Sequence, residues 1–439
     1  MRYRSIISAV LAALMLLFCG CSKPDDKKPV MKSTNYGFSS AMTAYMIEHT
    51  KNMLESEMKA AGVDTSKPLS EQIRSGDETW QDYLYKKTVE NMEHILLYCE
   101  AAAIDGYTPD EGMIYKASEE MNYLNTLAKN EGYTVEEYIT MTYGEGVTYD
   151  GIRVCLEMMA LCEGYELYLM KSHEVAADAA DVYAEENKGD FLKFDALRFT
   201  TKDRDVADRL MACTDPDGFT KVVSGVSGTD LTDKDKNGIP DTCEMKRAAV
   251  SSDAAGSLVS EPGKNIYDTV LTEKNGEYTV TMLLSLPKRD TTPLWDFRLI
   301  YISSEASTDP YGDAKSLIEQ WRDKNGGETG FANLAARYSN DPTAYYGGLF
   351  SGTAREDIPN ADVAEWVCSA ERVSGDITAI DADGGAYMVY YIGGGIPKWQ
   401  RDAENKLKTK YAEDKIASVE ADIRAGFVTD EKLMKKIMK

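Results

Sequence analysis

The strongest chemical signal in the chain is the run from Asp233 to Glu244, D-K-D-K-N-G-I-P-D-T-C-E. Calcium takes six to eight hard oxygens in a tight turn. Asp233, Asp235, Asn237, Asp241 and Glu244 supply side-chain oxygens at the steps such a turn requires, Ile239 offers its carbonyl, and Gly238 permits the sharp bend. The spacing therefore predicts a calcium loop, closed and structural rather than catalytic; the alternative is an acidic, solvated loop. No other motif carries chemistry. There is no P-loop, dinucleotide fingerprint, zinc-protease helix or nucleophile elbow, so no organic cofactor is expected. The three histidines, His49, His94 and His173, all lie in the first half of the chain.

The elements around this loop begin with a basic start, Arg2 and Arg4, and an apolar run from Ile6 to Phe18 that is too short to span a bilayer as a mature helix. It ends in Phe18-Cys19-Gly20-Cys21-Ser22 and resembles a bacterial lipoprotein leader. That resemblance implies a signal peptide over 1–20, a lipidated Cys21, and an extracytoplasmic protein held to a bacterial membrane by lipid. Residues 21–36, rich in Lys, Asp and Pro at their start, read as a solvated tether. The net charge is −24, and loss of the two leader arginines makes it more negative. This balance argues against nucleic acid and against electrostatic adhesion to anionic lipid. Apart from Cys19 and Cys21 there are six cysteines, without zinc spacing. Cys155 and Cys162 share one predicted helix, about 10 Å apart along its axis, too far for a disulfide.

Residues 37–190 are helical by periodicity, with Leu84, Val89, Met92, Ile95, Leu96 and Cys99 along one long amphipathic helix and a Thr134–Glu137 capping box opening another. From residue 295 the pattern changes to an apolar strand, Phe297 to Ile302, then a helix with Ala314, Leu317 and Ile318. Next come F-A-N-L-A-A-R-Y-S-N-D over 331–341, a glycine-rich flap over 347–352, a helix with Val363 and Trp366, and a hairpin ending in Tyr387 to Tyr391. A looser copy precedes it. Phe194 to Thr201 matches Phe297 to Ser304, Gly218-Phe219 matches Gly330-Phe331, and Gly276 to Val280 matches Gly385 to Val389. This match sets Tyr278 against Tyr387. The charged helix from Gln400 to Arg424 and a short one after Thr429 close the chain, and they are expected to dock on the helical region.

The stretch 291–398 resembles a parvulin-type (PpiC-like) peptidyl-prolyl isomerase domain, and the whole order resembles the PrsA/SurA-type extracytoplasmic foldases. The acidic loop resembles thrombospondin type 3 and EF-hand calcium loops. The resemblance implies an α+β multidomain chain: a helical chaperone-like domain over 37–190, a degenerate parvulin-like domain with the calcium-loop insertion over 191–290, a second parvulin-like domain over 291–398, and C-terminal helices over 399–439. It places the family's catalytic positions on Leu299, where the family has histidine, on Asp341, and on Tyr387, again in place of histidine. Phe350, Ile358 and Trp366 fall on the proline pocket. The implied function is binding of unfolded, newly secreted polypeptides with prolyl isomerisation at the second domain. The missing histidines keep open a holdase that uses both domains only as platforms. For the residues themselves the plainer alternatives are a turn cap at Asp341 before Pro342 and a core aromatic at Tyr387.

Overall fold

The computed structural model describes residues 28–438 apart from 110, 177 and 325, so the leader and Cys21 lie outside the described residues. The chain is α+β, with several antiparallel sheets. The first part is helical: α1 (Ser40–Met53), α2 (Glu55–Ala60), α3 (Trp80–Asp105), α4 (Glu111–Glu131), α5 (Val135–Tyr143) and α6 (Tyr149–Ser172). Short strands β1 (Met31–Lys32) and β2 (Gly37–Phe38) precede them, and a small hairpin, β3 (Ile73–Ser75) and β4 (Glu78–Thr79), leads into α3. Helix α3 starts at a Thr79–Asp82 capping box and stops at Gly106, whose φ of 67° suits a residue without a side chain. The expected Thr134–Glu137 box opens α5. Met42, Met92, Leu96, Cys99, Ile152, Cys155 and Met158 fill one core between these helices. All six described cysteines are free thiols. Among the described residues no helix is long and apolar enough to cross a membrane.

Part of the expected tether is structural instead. Val30 and Met31 are fully buried, β1 pairs with both β2 and a C-terminal strand, and Asn35 donates its backbone N–H and its side-chain amide to the buried Glu100 carboxylate at 2.5 and 2.8 Å. The composition of residues 21–36 hid an apolar pair whose partners lie at the far end of the sequence.

After α7 (Ala179–Glu186) and α8 (Lys188–Phe191) two sheet platforms follow in tandem. The first runs β5 (Leu192–Thr201), α9 (Arg204–Met211), α10 (Pro216–Ser224), β6 (Glu244–Ala249), α11 (Gly256–Val259), β7 (Thr269–Lys274) and β8 (Glu277–Leu283), with a short β9 (Lys288–Arg289). The second runs β10 (Pro293–Ser303), α12 (Pro310–Asp323), α13 (Gly327–Tyr338), β11 (Leu349–Ala354), α14 (Ala361–Val367), β12 (Ile377–Ala382) and β13 (Gly385–Pro397). Their strand orders, β6-β5-β8-β7 and β11-β10-β13-β12, are the same topology. One face of each sheet packs on its first two helices, through Leu197, Val280 and Met282 in the first and Ile300, Met388 and Phe331 in the second. The chain closes with α15 (Lys398–Arg424), β14 (Val428–Thr429) and α16 (Glu431–Ile437). Ala412, Ile416, Ile423 and Met434 of these elements enter the helical core, and β14 pairs with β1.

The hairpins fix how the copies correspond. Lys274 pairs with Glu277 and Ala382 with Gly385, each across a two-residue turn. Counting from these turns, Tyr387 corresponds to Thr279, not to Tyr278 as the sequence match had it. Tyr278 packs on the helix side of its sheet with Leu197 and Phe199. A slip of one residue moves a strand side chain to the opposite face.

Both platforms carry an aspartate at a bulge between the first strand and its outer neighbour. The register skips between Phe194 and Ala196 and between Trp295 and Phe297. Asp195 accepts the Arg247 N–H at 2.7 Å and the Ser285 hydroxyl at 3.3 Å. Asp296 accepts the Gly352 N–H at 2.8 Å and the Ser351 hydroxyl at 3.0 Å, and it pairs with Arg401 of α15. Arg247 and Gly352 occupy the same place and both have positive φ, 52° and 60°. Replacing Asp296 with Ala strands the little-exposed Arg401 and an amide at the bend, and is expected to lower unfolding free energy by about 2–3 kcal/mol. Asp296→Asn should cost less; urea titration of both variants measures the difference.

Candidate functional site

The face of the second sheet turned away from α12 and α13 collects the residues the sequence singled out. Cross-strand partners form rows on it: Tyr301, Tyr387 and Ile380 in one, Leu299, Val389 and Thr378 in the next, and Phe350, Phe297 and Tyr391 in a third. Helix α14 packs over part of this face. The result is one apolar cluster that contains Leu299, Ile358, Val363 and Val367 in its buried part and Tyr301, Phe350, Trp366 and Tyr387 around it. Ile358 and Leu299 are core residues. Phe350 stacks on Phe297 with centroids 4.8 Å apart, and the Arg372 guanidinium lies 4.9 Å from the Trp366 ring centroid. Phe350, Trp366 and Tyr387 keep partial exposure, so this face presents apolar surface to solvent.

Tyr387 lies against Tyr301, ring centroids 4.9 Å apart, and the Tyr301 hydroxyl donates to the Gly384 carbonyl at 2.7 Å. Burial raises the Tyr387 pKa above the ordinary phenol value, with Tyr301 and then Asp341 adding to the shift. Asp341 thus acts electrostatically on Tyr387. It is also a turn cap, since its Oδ1 accepts from the Thr343 N–H at 2.8 Å and the Thr343 hydroxyl at 2.5 Å, opening the 3-10 turn Pro342–Tyr346. Helix α4 of the helical region packs against this turn and against α13.

The glycine flap is held in place. Gly347 and Gly348 are buried with φ of 66° and 69°, and a Cβ on Gly348 would sit 2.1 Å from the Leu299 carbonyl oxygen. Arg298, on the helix side of β10, provides the clamp. Its side chain is 8% exposed and bonds Glu328 through Nε and Nη2 at 3.1 and 2.9 Å. Its Nη1 donates to the carbonyls of Tyr346 and Gly347, each at 3.0 Å. Sequence reasoning missed Arg298. A charged residue in an otherwise apolar strand was the available signal, since such a residue needs dedicated partners when buried.

In the first platform the acidic loop lies between α10 and β6. Gly238 has φ of 84°, Asp233 accepts the N–H groups of Asn237 and Gly238 at 3.2 and 2.8 Å, and the Asn237 side-chain Oδ1 accepts the Ile239 N–H at 2.8 Å. These bonds close the turn. Among the described residues no group of three or more His, Cys, Asp or Glu is arranged to hold a metal ion. The Lys246 ammonium instead bridges Asp235 and Glu244, at 2.7 and 3.1 Å, and Lys234 pairs with Asp241 at 3.6 Å. The donor set of hard oxygens suits calcium, and Lys246 stands in as the positive charge between two of its members.

No protein-family model matches the sequence, and no curated protein does. Among solved structures the chain is similar to a PpiC-type peptidyl-prolyl cis-trans isomerase domain, at 23% identity over 24% of this chain and 95% of that one, with a TM-score of 0.21. It is similar to the peptidylprolyl isomerase PrsA from Bacillus anthracis, at 18% identity over 34% of this chain and 58% of that one, with a TM-score of 0.20. It is also similar to PrsA from Bacillus subtilis, at 12% identity over 84% of this chain and 90% of that one, with a TM-score of 0.24.

Two outcomes test the site's construction. Arg298→Met leaves the Tyr346 and Gly347 carbonyls without their donor and is expected to destabilise the chain by about 2–3 kcal/mol in a urea titration. The second is a pH dependence. Because the folded chain holds the Tyr387 phenol neutral beyond its ordinary pKa of 10.0, its contribution is complete below that pH and lost as pH rises through the folded value. Stability measured from pH 9 to pH 12 should therefore fall less steeply in Tyr387→Phe than in the parent chain.

Proposed function

We propose that this chain is an extracytoplasmic foldase, lipid-anchored through Cys21, that holds unfolded, newly exported polypeptides and isomerises prolyl bonds at its second platform. The observation that carries this reading is the convergence of Phe350, Trp366 and Tyr387 on one apolar face with Asp341 acting on Tyr387. Isomerisation has to lower a torsional barrier of about 18–20 kcal/mol. The planar amide is the charge-separated, water-favoured form, so an apolar surface that takes the proline ring and excludes water weakens its advantage. The Tyr387 phenol, neutral at physiological pH like any tyrosine, can donate a hydrogen bond to the twisting amide, with Asp341 near it.

A second reading is favoured by Leu299. It is fully buried where the resembled family has a histidine, and the chain's three histidines all belong to its helical elements or their ends. In this reading both platforms bind polypeptide and neither catalyses. The full chain after the leader decides between them in a protease-coupled assay on a prolyl peptide. Catalysis predicts turnover above background and a loss of about tenfold in Asp341→Ala or Tyr387→Phe, one hydrogen bond's worth of barrier. Background turnover together with suppressed aggregation of a denatured client establishes the holdase. Absence of both effects removes the proposal.

The acidic loop is proposed to bind calcium through Asp233, Asp235, Asn237, the Ile239 carbonyl, Asp241 and Glu244, stiffening the first platform as the ion displaces Lys246. Titration calorimetry should show binding that Asp233→Ala abolishes and Lys246→Ala preserves. No heat with the intact chain would discard the site.

A further inference from the structure

The two platforms differ at one edge of their sheets. In the second platform the outer edge of β10 is closed beyond Leu299. The Leu299 N–H donates to the Gly348 carbonyl at 2.8 Å, and the segment after α13 then takes over. Ser339 Oγ accepts the Tyr301 N–H at 3.0 Å, the Asn340 N–H donates to the Tyr301 carbonyl at 2.7 Å, and the Asn340 side chain accepts the Ser303 N–H at 3.0 Å. The first platform begins in the same way, with the Arg198 N–H on the Cys243 carbonyl at 2.7 Å. Two residues on, Thr200 stands where Tyr301 stands, paired on its inner side with Thr279 of β8. Backbone groups two residues apart along a strand point the same way, so the Thr200 N–H and carbonyl face outward. Among the described residues neither finds a hydrogen-bond partner.

The segment after α10, residues 226–230, stands back from this edge. Between them is a cavity of about 530 Å³ lined by Arg198, Thr200, Ser227, Thr229, Thr242 and Met245, among others. Its volume is in the range of small-ligand sites. Part of its wall is polar. The Thr200 hydroxyl bonds Thr279 at 2.8 Å, and the Arg198 guanidinium is oriented by Asp253 through Nη2 at 2.6 Å and by Thr281 through Nε at 3.1 Å.

We propose that the first platform binds an extended polypeptide by strand addition: its backbone pairs with the open edge of β5 at Thr200, and one side chain enters the cavity beside Arg198. The second platform shows what fits such an edge, since its own Ser339–Asn340 segment supplies the acceptor and donor that Thr200 lacks. Main-chain pairing gives affinity with little regard to sequence, and a single pocket biases which side chain is taken. The cavity's mixed lining, hydroxyls beside Val226 and Met245, suits a small side chain with both a methyl and a hydroxyl, such as threonine. This inference rests on the reading that the chain handles unfolded polypeptide, but it concerns a different platform from the prolyl site, so the two can fail separately.

The test uses the full chain after the leader, with a fluorescent peptide of alternating threonine and valine as the probe, and the same peptide N-methylated at every second residue. Anisotropy should show binding of the first, within the millimolar range of about −4 kcal/mol that a few main-chain bonds support, and at least a tenfold loss on methylation. Thr229→Trp, which fills the cavity from the standing-back segment, should abolish binding while Lys432→Ala, at an exposed position of α16, leaves it unchanged. Hydrogen exchange adds a readout that needs no variant: the Thr200 amide should exchange rapidly in the free chain and slow with the probe, whereas the Tyr301 amide is slow throughout. Equal binding of the methylated peptide, binding retained in Thr229→Trp, no binding at all, or a Thr200 amide already protected by the chain's own residues 226–230 would each overturn the proposal.

Discussion

A single carboxylate at a bulge ties this molecule together. Asp296 sits where β10 slips by one residue against β11. It holds the outer strand by the Gly352 amide and the Ser351 hydroxyl, and it holds α15 by Arg401. Since α15 enters the core of the helical region through Ala412, Ile416 and Ile423, one side chain joins the candidate site's flanking strand to the helices that precede both platforms in the sequence. A bulge leaves a residue unpaired and sharpens the local twist. Here the extra residue is on β11, where Ser351 and Gly352 face Asp296, and the acid's side chain satisfies the Gly352 amide that the slip would otherwise strand. Asp195 repeats the arrangement with the Arg247 amide and Ser285. The recurrence of bulge, acid and left-handed residue at matching places is stronger evidence of a repeated structural unit than the residue identities themselves.

What could be seen in the sequence follows from the range of the interaction responsible. Helices with their own caps were visible, as the Thr134–Glu137 box shows, because every part of that signal lies within four residues. Strand patterns were visible for the same reason. The strand register was not. Tyr278 and Tyr387 look equivalent because both are tyrosines at the start of a last strand, yet they lie on opposite faces, and only the counting from the turns shows it. The burial of Val30 and Met31 depends on β14, nearly 400 residues away in sequence. Arg298 is a clamp only because Glu328 and two flap carbonyls converge on it. Of the candidate site, the members Phe350, Ile358, Trp366 and Tyr387 were assigned by resemblance and do share one cluster. Their division into buried core and open surface was not legible, because exposure is set by what α14 covers.

The two platforms show which parts of such a unit can diverge without cost to its architecture. Strand order and the bulge are kept, and the helix-side face stays apolar in both apart from Arg298, which stands where the first platform has Leu197. The other face is not kept: Leu299, Tyr301 and Phe350 in the second platform correspond to Arg198, Thr200 and Met245 in the first. The helix-side residues interdigitate with two helices, so a change there strands volume in a closed core. The opposite face is only partly covered, and a substitution there exchanges one contact surface for another. Chemistry therefore varies where packing is least demanding.

The segment that joins the second helix to the outer strand makes the largest difference. In the second platform, residues 339–348 first pair with the edge of β10, then turn through the cap at Asp341, and end in two glycines pressed against Leu299. In the first, residues 225–243 are longer and spend their polar groups on one another, through Asp230, Asp233 and Asn237. A loop that satisfies its own backbone has no need of the strand edge beside it, and so the edge stays open. The acidic loop and the unpaired Thr200 amide are thus two consequences of one insertion. Extra length costs little in closure entropy, about 0.6 kcal/mol for each doubling, so such an insertion can be accommodated while the sheet beneath it keeps its topology.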